Sequence, residues 1–193
     1  MRPTEILKHE HEVIGQMLKV TEVISRLLIS GQKVDPEHLE QVIHFFKGFA
    51  DRCHHGKEEN LLFKAMIKAG LSSEGGPIRF MLSEHEMGRE YIRMMAKGAE
   101  EYKKAQGNAS GLDFVTGAQH YVSLLAQHIR KEDTILFVLA DKILSEKQQI
   151  ELKQDFEKME HDEMGVGTHE HYLKILDDLK ARYLKETVNQ KSH

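Results

Sequence analysis

Histidine and glutamate recur at one fixed spacing in two parts of the chain, and together they could bind metal. His54 stands four residues before Glu58, and His128 stands four residues before Glu132. Residues four apart share one face of a helix, so each pair can present an imidazole and a carboxylate side by side. Such donors suit iron, manganese or zinc. The ordinary alternative for a single pair is a surface ion pair worth about 0.2–0.5 kcal/mol.

An internal repeat joins the two pairs. A shift of 74 residues carries segment 54–63 onto segment 128–137, with His, Lys, Glu and Phe in matching places. The same shift carries Glu-His-Glu at 10–12 onto Glu-His-Glu at 84–86. A duplicated structural hairpin would also repeat, but here His and Glu recur and not only the apolar stripe. The repeat therefore predicts one metal site with donors from both copies, namely His11, His54, Glu58, His85, His128 and Glu132.

Four neighbouring residues compete for the same roles. His9 and His55 fall on a serine and an isoleucine under the shift, so the repeat does not support them. Glu59 and Asp133 do match each other. We rank these four behind the repeat-supported set, and we interpret the two carboxylates as alternative ligands or as groups that hydrogen-bond to the ligands.

Long helices must position these residues, because apolar residues recur at helical spacing and no stretch alternates as a strand would. Asp35-Pro36 and Gly76-Pro77 are typical helix starts, and Ser110 with Asp113 resembles a capping box. Four long helices with short loops predict an all-α fold, an up-down-up-down four-helix bundle with a C-terminal helical hairpin packed on it. We assign residues 1–144 to the bundle and 145–193 to the extension. The predicted helices span residues 4–28, 36–68, 77–104, 111–144, 145–163 and 168–185.

On each long helix the candidate ligands interrupt an apolar stripe that is predicted to face the core. A carboxylate in such a stripe is costly unless it is paired or bound to metal. Two metal ions between the helices would remove that cost. The predicted stripes are Leu7, His11, Ile14 and Leu18; Phe46, Ala50, His54, Glu58, Leu61 and Ala65; Ile78, Leu82, His85 and Ile92; and Tyr121, Leu125, His128, Glu132, Ile135 and Leu139.

Composition narrows the class of protein. The chain has 193 residues, 27 Lys+Arg against 31 Asp+Glu, and a formal net charge of −4, which disfavours a nucleic-acid partner. No apolar run approaches the roughly 20 residues that a membrane span requires, and the first residues lack the apolar core of a signal peptide. The single cysteine, Cys53, excludes an internal disulfide and suits the cytoplasm. We interpret it as a small core residue.

The two His-x-x-x-Glu blocks, with Glu10-His11-Glu12 and Glu84-His85-Glu86, resemble the hemerythrin family, also called the HHE cation-binding domain. The resemblance covers about residues 4–141. It implies a four-helix bundle around a non-haem centre of two iron ions, of the Fe–O–Fe type, in which manganese or zinc could substitute. It also implies that Glu58 and Glu132 bridge the ions and that His11, His54, His85 and His128 are terminal ligands.

One position departs from the oxygen-carrying members, which have a second histidine four residues after the one on the third helix. This chain has Arg89 there. Arg89 could hold partial negative charge on a bound oxygen species, but we favour a surface arginine. Asp133 matches an aspartate of those carriers, although Glu132 fits the repeat better. The resulting set of four histidines and two glutamates is similar to that of the repair-of-iron-centres proteins.

The resemblance implies a protein that binds or reduces oxygen, nitric oxide or peroxide in stress response or sensing. The alternative is non-catalytic iron storage or delivery, including iron supply to an iron–sulfur protein acceptor. A sensor that signals through the C-terminal tail is a third hypothesis. That tail carries four further donors, which we interpret as a solvated polar hairpin and not as a second metal site: His161, Glu163, His169 and His171.

Overall fold

The computed structural model describes residues 1–107, 111–164 and 167–184, and within those ranges it is all-helical, with no strand. Six helices follow one another there. No helix among them is long and apolar enough to cross a membrane. The helices are α1 (Pro3–Ile29), α2 (residues 36–68), α3 (Pro77–Lys104), α4 (residues 112–143), α5 (residues 146–164) and α6 (Thr168–Tyr183).

The predicted helix starts are confirmed where the structure describes them. Asp35 caps α2, because its side-chain carboxylate accepts a hydrogen bond from the backbone N–H of Glu37 at 3.0 Å. Pro36 and Pro77 are the first residues of their helices, where a missing N–H costs nothing. Three predicted features lie outside the described residues: the Ser110 cap, Gly165 in the predicted break, and the end of the last helix at Lys185.

Neighbouring helices run antiparallel and approach closely. Between α3 and α4, a Cβ built on Gly98 would lie 2.1 Å from the backbone nitrogen of Phe114, and one on Gly117 would lie 2.9 Å from the carbonyl oxygen of Tyr91. The residue number on α3 therefore falls as that on α4 rises. Only glycine permits this contact, because any side chain would hold the two backbones apart.

The middle of α2 and of α4 is π-helical. In α2 the π-helical parts are Phe46–His55 and Glu58–Leu62, and in α4 the π-helical part is Glu132–Leu136. A π-turn closes its hydrogen bond over five residues instead of four, so it contains one extra residue and is found most often at functional sites. These segments contain His54, Glu58 and Glu132.

The extra residue changes which of the following side chains face the core, so some of the predicted core-facing positions are wrong. After Glu58, Leu62 and Met66 are buried in place of Leu61 and Ala65. After Glu132, Leu136 and Ala140 are buried in place of Leu139 and of Ile135, which is 59% exposed. On α3 the stripe is also off by one position, because Met81 is buried and Leu82 is exposed. The other predicted stripe positions are buried.

A polar band divides the core into two apolar clusters. The first cluster draws on α1 from Val13 onward, α2 up to Ala50, and the parts of α3 and α4 that face them, with α6. The second cluster contains Leu7, Phe63, Phe137 and their neighbours, with α5. Every candidate ligand lies between the two clusters along its own helix. Apolar packing on both sides therefore fixes the helices at the depth where the polar residues meet.

Helices α5 and α6 pack against α1 and α2 at opposite ends of the band. Two glycines of α2 receive their side chains: a Cβ on Gly48 would lie 1.7 Å from the Tyr172 hydroxyl of α6, and one on Gly56 would lie 2.5 Å from the methyl carbon of Met159 in α5. The C-terminal helices thus contact the irregular part of α2 directly.

Candidate metal centre

The band contains all six residues that the repeat predicts, and each of them is buried. They come from four helices: His11 from α1, His54 and Glu58 from α2, His85 from α3, and His128 and Glu132 from α4. Their donor atoms fall into two groups. In each group, the ligand atoms lie within 4.8 Å of one another.

The first group unites donors of α2, α3 and α4. It contains His55, Glu58, His85 and His128. The Nε2 atoms of His85 and His128 face each other at 3.1 Å. Three imidazoles and one carboxylate in this arrangement could hold a transition metal ion.

The second group unites donors of α1, α2 and α4. It contains His11, His54, Glu58 and Glu132. The ring centroids of His11 and His54 are 4.6 Å apart. Glu58 belongs to both groups, so the two candidate positions are neighbours.

Both carboxylates extend across the two groups. Glu58 places Oε1 3.6 Å from His54 Nε2 and Oε2 3.5 Å from His85 Nε2. Glu132 places Oε2 3.2 Å from His11 Nε2 and Oε1 3.2 Å from His128 Nε2. Each carboxylate therefore directs one oxygen toward each group, as a bridge between two cations does.

A carboxylate outside the band fixes each histidine ring. The Nδ1 of His54 donates to Glu10 at 2.9 Å and that of His128 donates to Glu84 at 2.8 Å. The other three pairs are His11 with Asp133 at 2.8 Å, His85 with Glu59 at 2.7 Å and His55 with Asp51 at 3.4 Å. Because a carboxylate accepts, the proton lies on Nδ1 and Nε2 points into the band, as metal-ligating histidines require. Glu59 and Asp133 thus hydrogen-bond to candidate ligands, which is one of the two roles predicted for them.

In two of these histidine–carboxylate pairs a lysine also donates to the carboxylate, and the internal repeat relates the two lysines. Lys57 donates to Glu10 and Lys131 donates to Glu84, and the shift of 74 residues carries the first pair onto the second. The copies differ in their cover. Lys57 is fully buried and also pairs with Glu160 of α5, whereas the Lys131 side chain is 31% exposed. Helix α5 therefore covers the Lys57–Glu10 pair, whereas the Lys131–Glu84 pair stays partly exposed to solvent.

Arg89 points toward the outer carboxylates and is not a free surface arginine. Its guanidinium donates to Asp51 at 2.8 Å and to Glu59 at 2.7 Å, and these two carboxylates hold His55 and His85. One arginine thereby positions the partners of two rings. A cavity of about 480 Å³ on the outer surface contacts Arg89, Asp51 and Glu59.

Protons compete with metal ions for the atoms of the band, and the surroundings of each group shift its pKa. Burial and the charge of Glu132 raise the pKa of Glu58 far above its ordinary value. Burial would also raise the pKa of Glu132, but the imidazoles of His11 and His128, each with Nε2 3.2 Å from one of its oxygens, hold it far below that value. Burial opposes protonation of His11, yet Asp133 and Glu132 raise its pKa to about 9. These shifts favour the protonated forms of Glu58 and of His11, with which a metal ion would compete.

Three other rings are neutral at pH 7, which is the form that binds metal. Burial lowers the pKa of His54 to about 4 and that of His55 to about 3. It also lowers the pKa of His85, where a nearby charge on His128 adds to the effect.

Buried polar atoms without a hydrogen-bond partner concentrate in the band. In the part of the chain that the structure describes, they include Nε2 of His11, His54 and His55 and both oxygens of Glu58 and of Glu132. An unpaired buried polar atom costs about 1–3 kcal/mol. So many such atoms directed at one volume fit bound cations, which would satisfy them together.

His55, which ranks behind the six predicted residues on sequence, also belongs to the first donor group. The repeat could not reveal it, since the matching position is an isoleucine. His9 is exposed and pairs with Glu12, outside the band. Cys53 is buried beside Lys57, and burial raises the pKa of its thiol to about 12.

The tail histidines form no donor group among the residues that the structure describes. His161 is exposed, and His169 and His171 make ring contacts with Phe49 and His44. A further group joins Glu10, Cys53 and Glu160, but the Lys57 ammonium already pairs with both carboxylates.

Comparison with known proteins agrees with this geometry. The family model for the hemerythrin HHE cation binding domain matches residues 2–140. The chain therefore belongs to the hemerythrin HHE cation-binding family. No curated protein and no solved structure matches the chain.

Proposed function

We propose that the chain is a non-haem di-iron protein that binds or reduces a small oxidant, namely oxygen, nitric oxide or peroxide, in stress response or sensing. We assign residues 1–144 to the up-down-up-down four-helix bundle that holds the ions and residues 145–193 to a C-terminal extension, in which the structure describes helices α5 and α6. The ligands are His11, His54, Glu58, His85, His128 and Glu132. The protein acts in the cytoplasm, without a nucleic-acid or membrane partner.

One observation supports two ions more than any other: each of two buried carboxylates directs its two oxygens to different groups of imidazoles. A site for one ion would need only one group. Two-metal sites hold their ions about 3.5–4 Å apart, a distance that one carboxylate spans. Imidazole and carboxylate together suit iron, and manganese or zinc could substitute.

The residues of the band support a small ligand. Every donor is buried between two apolar clusters, which favours a ligand of only a few atoms. The outer carboxylates keep the rings in the ligating tautomer. The bound iron pair would supply electrons to the oxidant.

Anaerobic reconstitution with ferrous iron tests the proposal. Elemental analysis is expected to give two ions per chain, and exposure to oxygen, nitric oxide or peroxide is expected to change the optical spectrum. The E58Q variant is expected to lose one ion, because an amide bridges poorly. The control E12Q alters an exposed glutamate and should retain both ions.

Two outcomes separate the alternatives. Two bound ions without a spectral change in any oxidant would overturn the small-oxidant role. Stoichiometric transfer of iron to an iron–sulfur protein acceptor, without turnover of any oxidant, would support storage or delivery instead.

A further inference from the structure

We propose that His55 is a seventh ligand and the third imidazole on one of the two metal ions, beside His85 and His128. This inference rests on the proposed function, since it assigns a residue to the same metal centre. It departs from the family resemblance, which expects a second histidine on the third helix, where this chain has Arg89.

His55 has the same surroundings as the predicted ligands. It is buried, its Nε2 has no hydrogen-bond partner, and a nitrogen of its ring lies within 4.8 Å of donor atoms of Glu58, His85 and His128. Its ring stacks on the His85 ring at 3.9 Å with an interplanar angle of 12°. Stacking places the two rings side by side at the first donor group, and a tilt of the rings toward each other would direct both at one ion.

The outer partner of His55 completes the resemblance to the other rings. Asp51 accepts from Nδ1 of His55 just as Glu59 accepts from Nδ1 of His85. Arg89 donates to both carboxylates. All five buried imidazoles of the band thus have a carboxylate on Nδ1, the arrangement that metal-ligating histidines have.

The π-helical segment explains how adjacent residues serve different ions. In an α-helix, neighbouring side chains point about 100° apart, so His54 and His55 would not both face the band. The π-helical turn Phe46–His55 is wider, and it brings both rings inward. His54 then joins His11 in one group, while His55 joins His85 in the other.

Proton NMR of the cobalt(II)-loaded protein tests the assignment by counting rings. A ligating imidazole whose Nδ1 carries a proton gives one exchangeable, strongly shifted resonance. Wild-type protein is expected to give five such resonances. The H55F variant keeps an aromatic ring for stacking but has no ring nitrogen, and it is expected to give four. It should also bind one of its two ions at least about 10- to 100-fold more weakly, the effect of losing even an outer partner of a ligand.

Two further variants guard against misfolding and unspecific effects. H55Q replaces the ring with a polar side chain and should also lose one resonance, so the test survives if H55F does not fold. H9Q removes an exposed histidine and should keep five resonances and both affinities.

The possible results distinguish this inference from the function on which it rests. Four resonances in wild type, with two tightly bound ions and no change in H55F or H55Q, would overturn the role of His55 and leave the di-metal centre intact. Failure of the wild-type protein to bind two ions would overturn both.

Discussion

The two repeat-related lysines allow one substitution to be tested in two environments. Lys57 and Lys131 occupy matching positions, and each donates to a buried glutamate that holds a histidine of the band. Lys57 is completely buried under α5, but Lys131 is 31% exposed. Replacement of each by methionine keeps most of the side-chain volume and removes the charge.

The expected loss of stability follows from burial. In K57M, Glu10 would stay buried with its hydrogen bond from His54, but it would lose the charge and the hydrogen bond of Lys57, which help to lower its pKa to about 2. Breaking a buried ion pair costs about 3–5 kcal/mol. We expect about 3 kcal/mol for K57M, because His54 still compensates part of the charge. This corresponds to a fall in Tm of about 6–12 °C for a chain of this size.

The matched variant K131M should lose far less stability. The Lys131 ammonium reaches water and lies 4.4 Å from the Phe80 ring, and partly exposed pairs contribute about 0.2–1 kcal/mol. Urea unfolding of the metal-free proteins, followed by far-UV circular dichroism, measures both differences. Equal losses in K57M and K131M, or a larger loss in K131M, would refute the reasoning from burial.

Three further predictions concern protons, packing and the thiol. Since the pKa of His11 is raised to about 9 and that of Glu58 lies above its ordinary value, metal uptake at pH 7 should release protons. The affinity for metal should therefore rise between pH 6 and 9; calorimetry in two buffers measures this, and a pH-independent affinity would contradict it. G48A should destabilise the protein by about 1–3 kcal/mol, because its Cβ would meet α6. G15A places its Cβ in open space and should stabilise the protein by about 0.5–1 kcal/mol. Thermal unfolding compares the two variants, and similar values would count against the packing of α6 on Gly48. Cys53 should react with a thiol reagent only after unfolding, since it is buried and its pKa is about 12. Fast labelling of the folded protein would contradict the burial of this thiol.

Local sequence signals predicted the helices well. Asp35-Pro36 and Gly76-Pro77 act within a few residues, through a cap and a fixed φ angle, so the helix starts follow from the sequence directly. The 74-residue repeat brought the six candidate donors together without any knowledge of packing. The same repeat pairs Glu10 with Glu84 and Lys57 with Lys131, so the outer partners could also have been found from it.

The irregular turns could not be predicted in the same way. Stripes drawn at a constant helical period misplace Leu61 and Ile135, because π-helical turns after Glu58 and Glu132 each contain an extra residue. The repeat did not support His55 either, because the matching position is an isoleucine. No local residue preference marks such turns; tertiary packing around the donors stabilises them.

Anomalous diffraction at the iron edge, from crystals of the anaerobically loaded protein, tests the central claim most directly. We expect two peaks about 3.5–4 Å apart in the polar band, both within bonding distance of Glu58 and of Glu132. A single peak, or peaks that either carboxylate fails to contact, would contradict a centre in which two cations share both bridges.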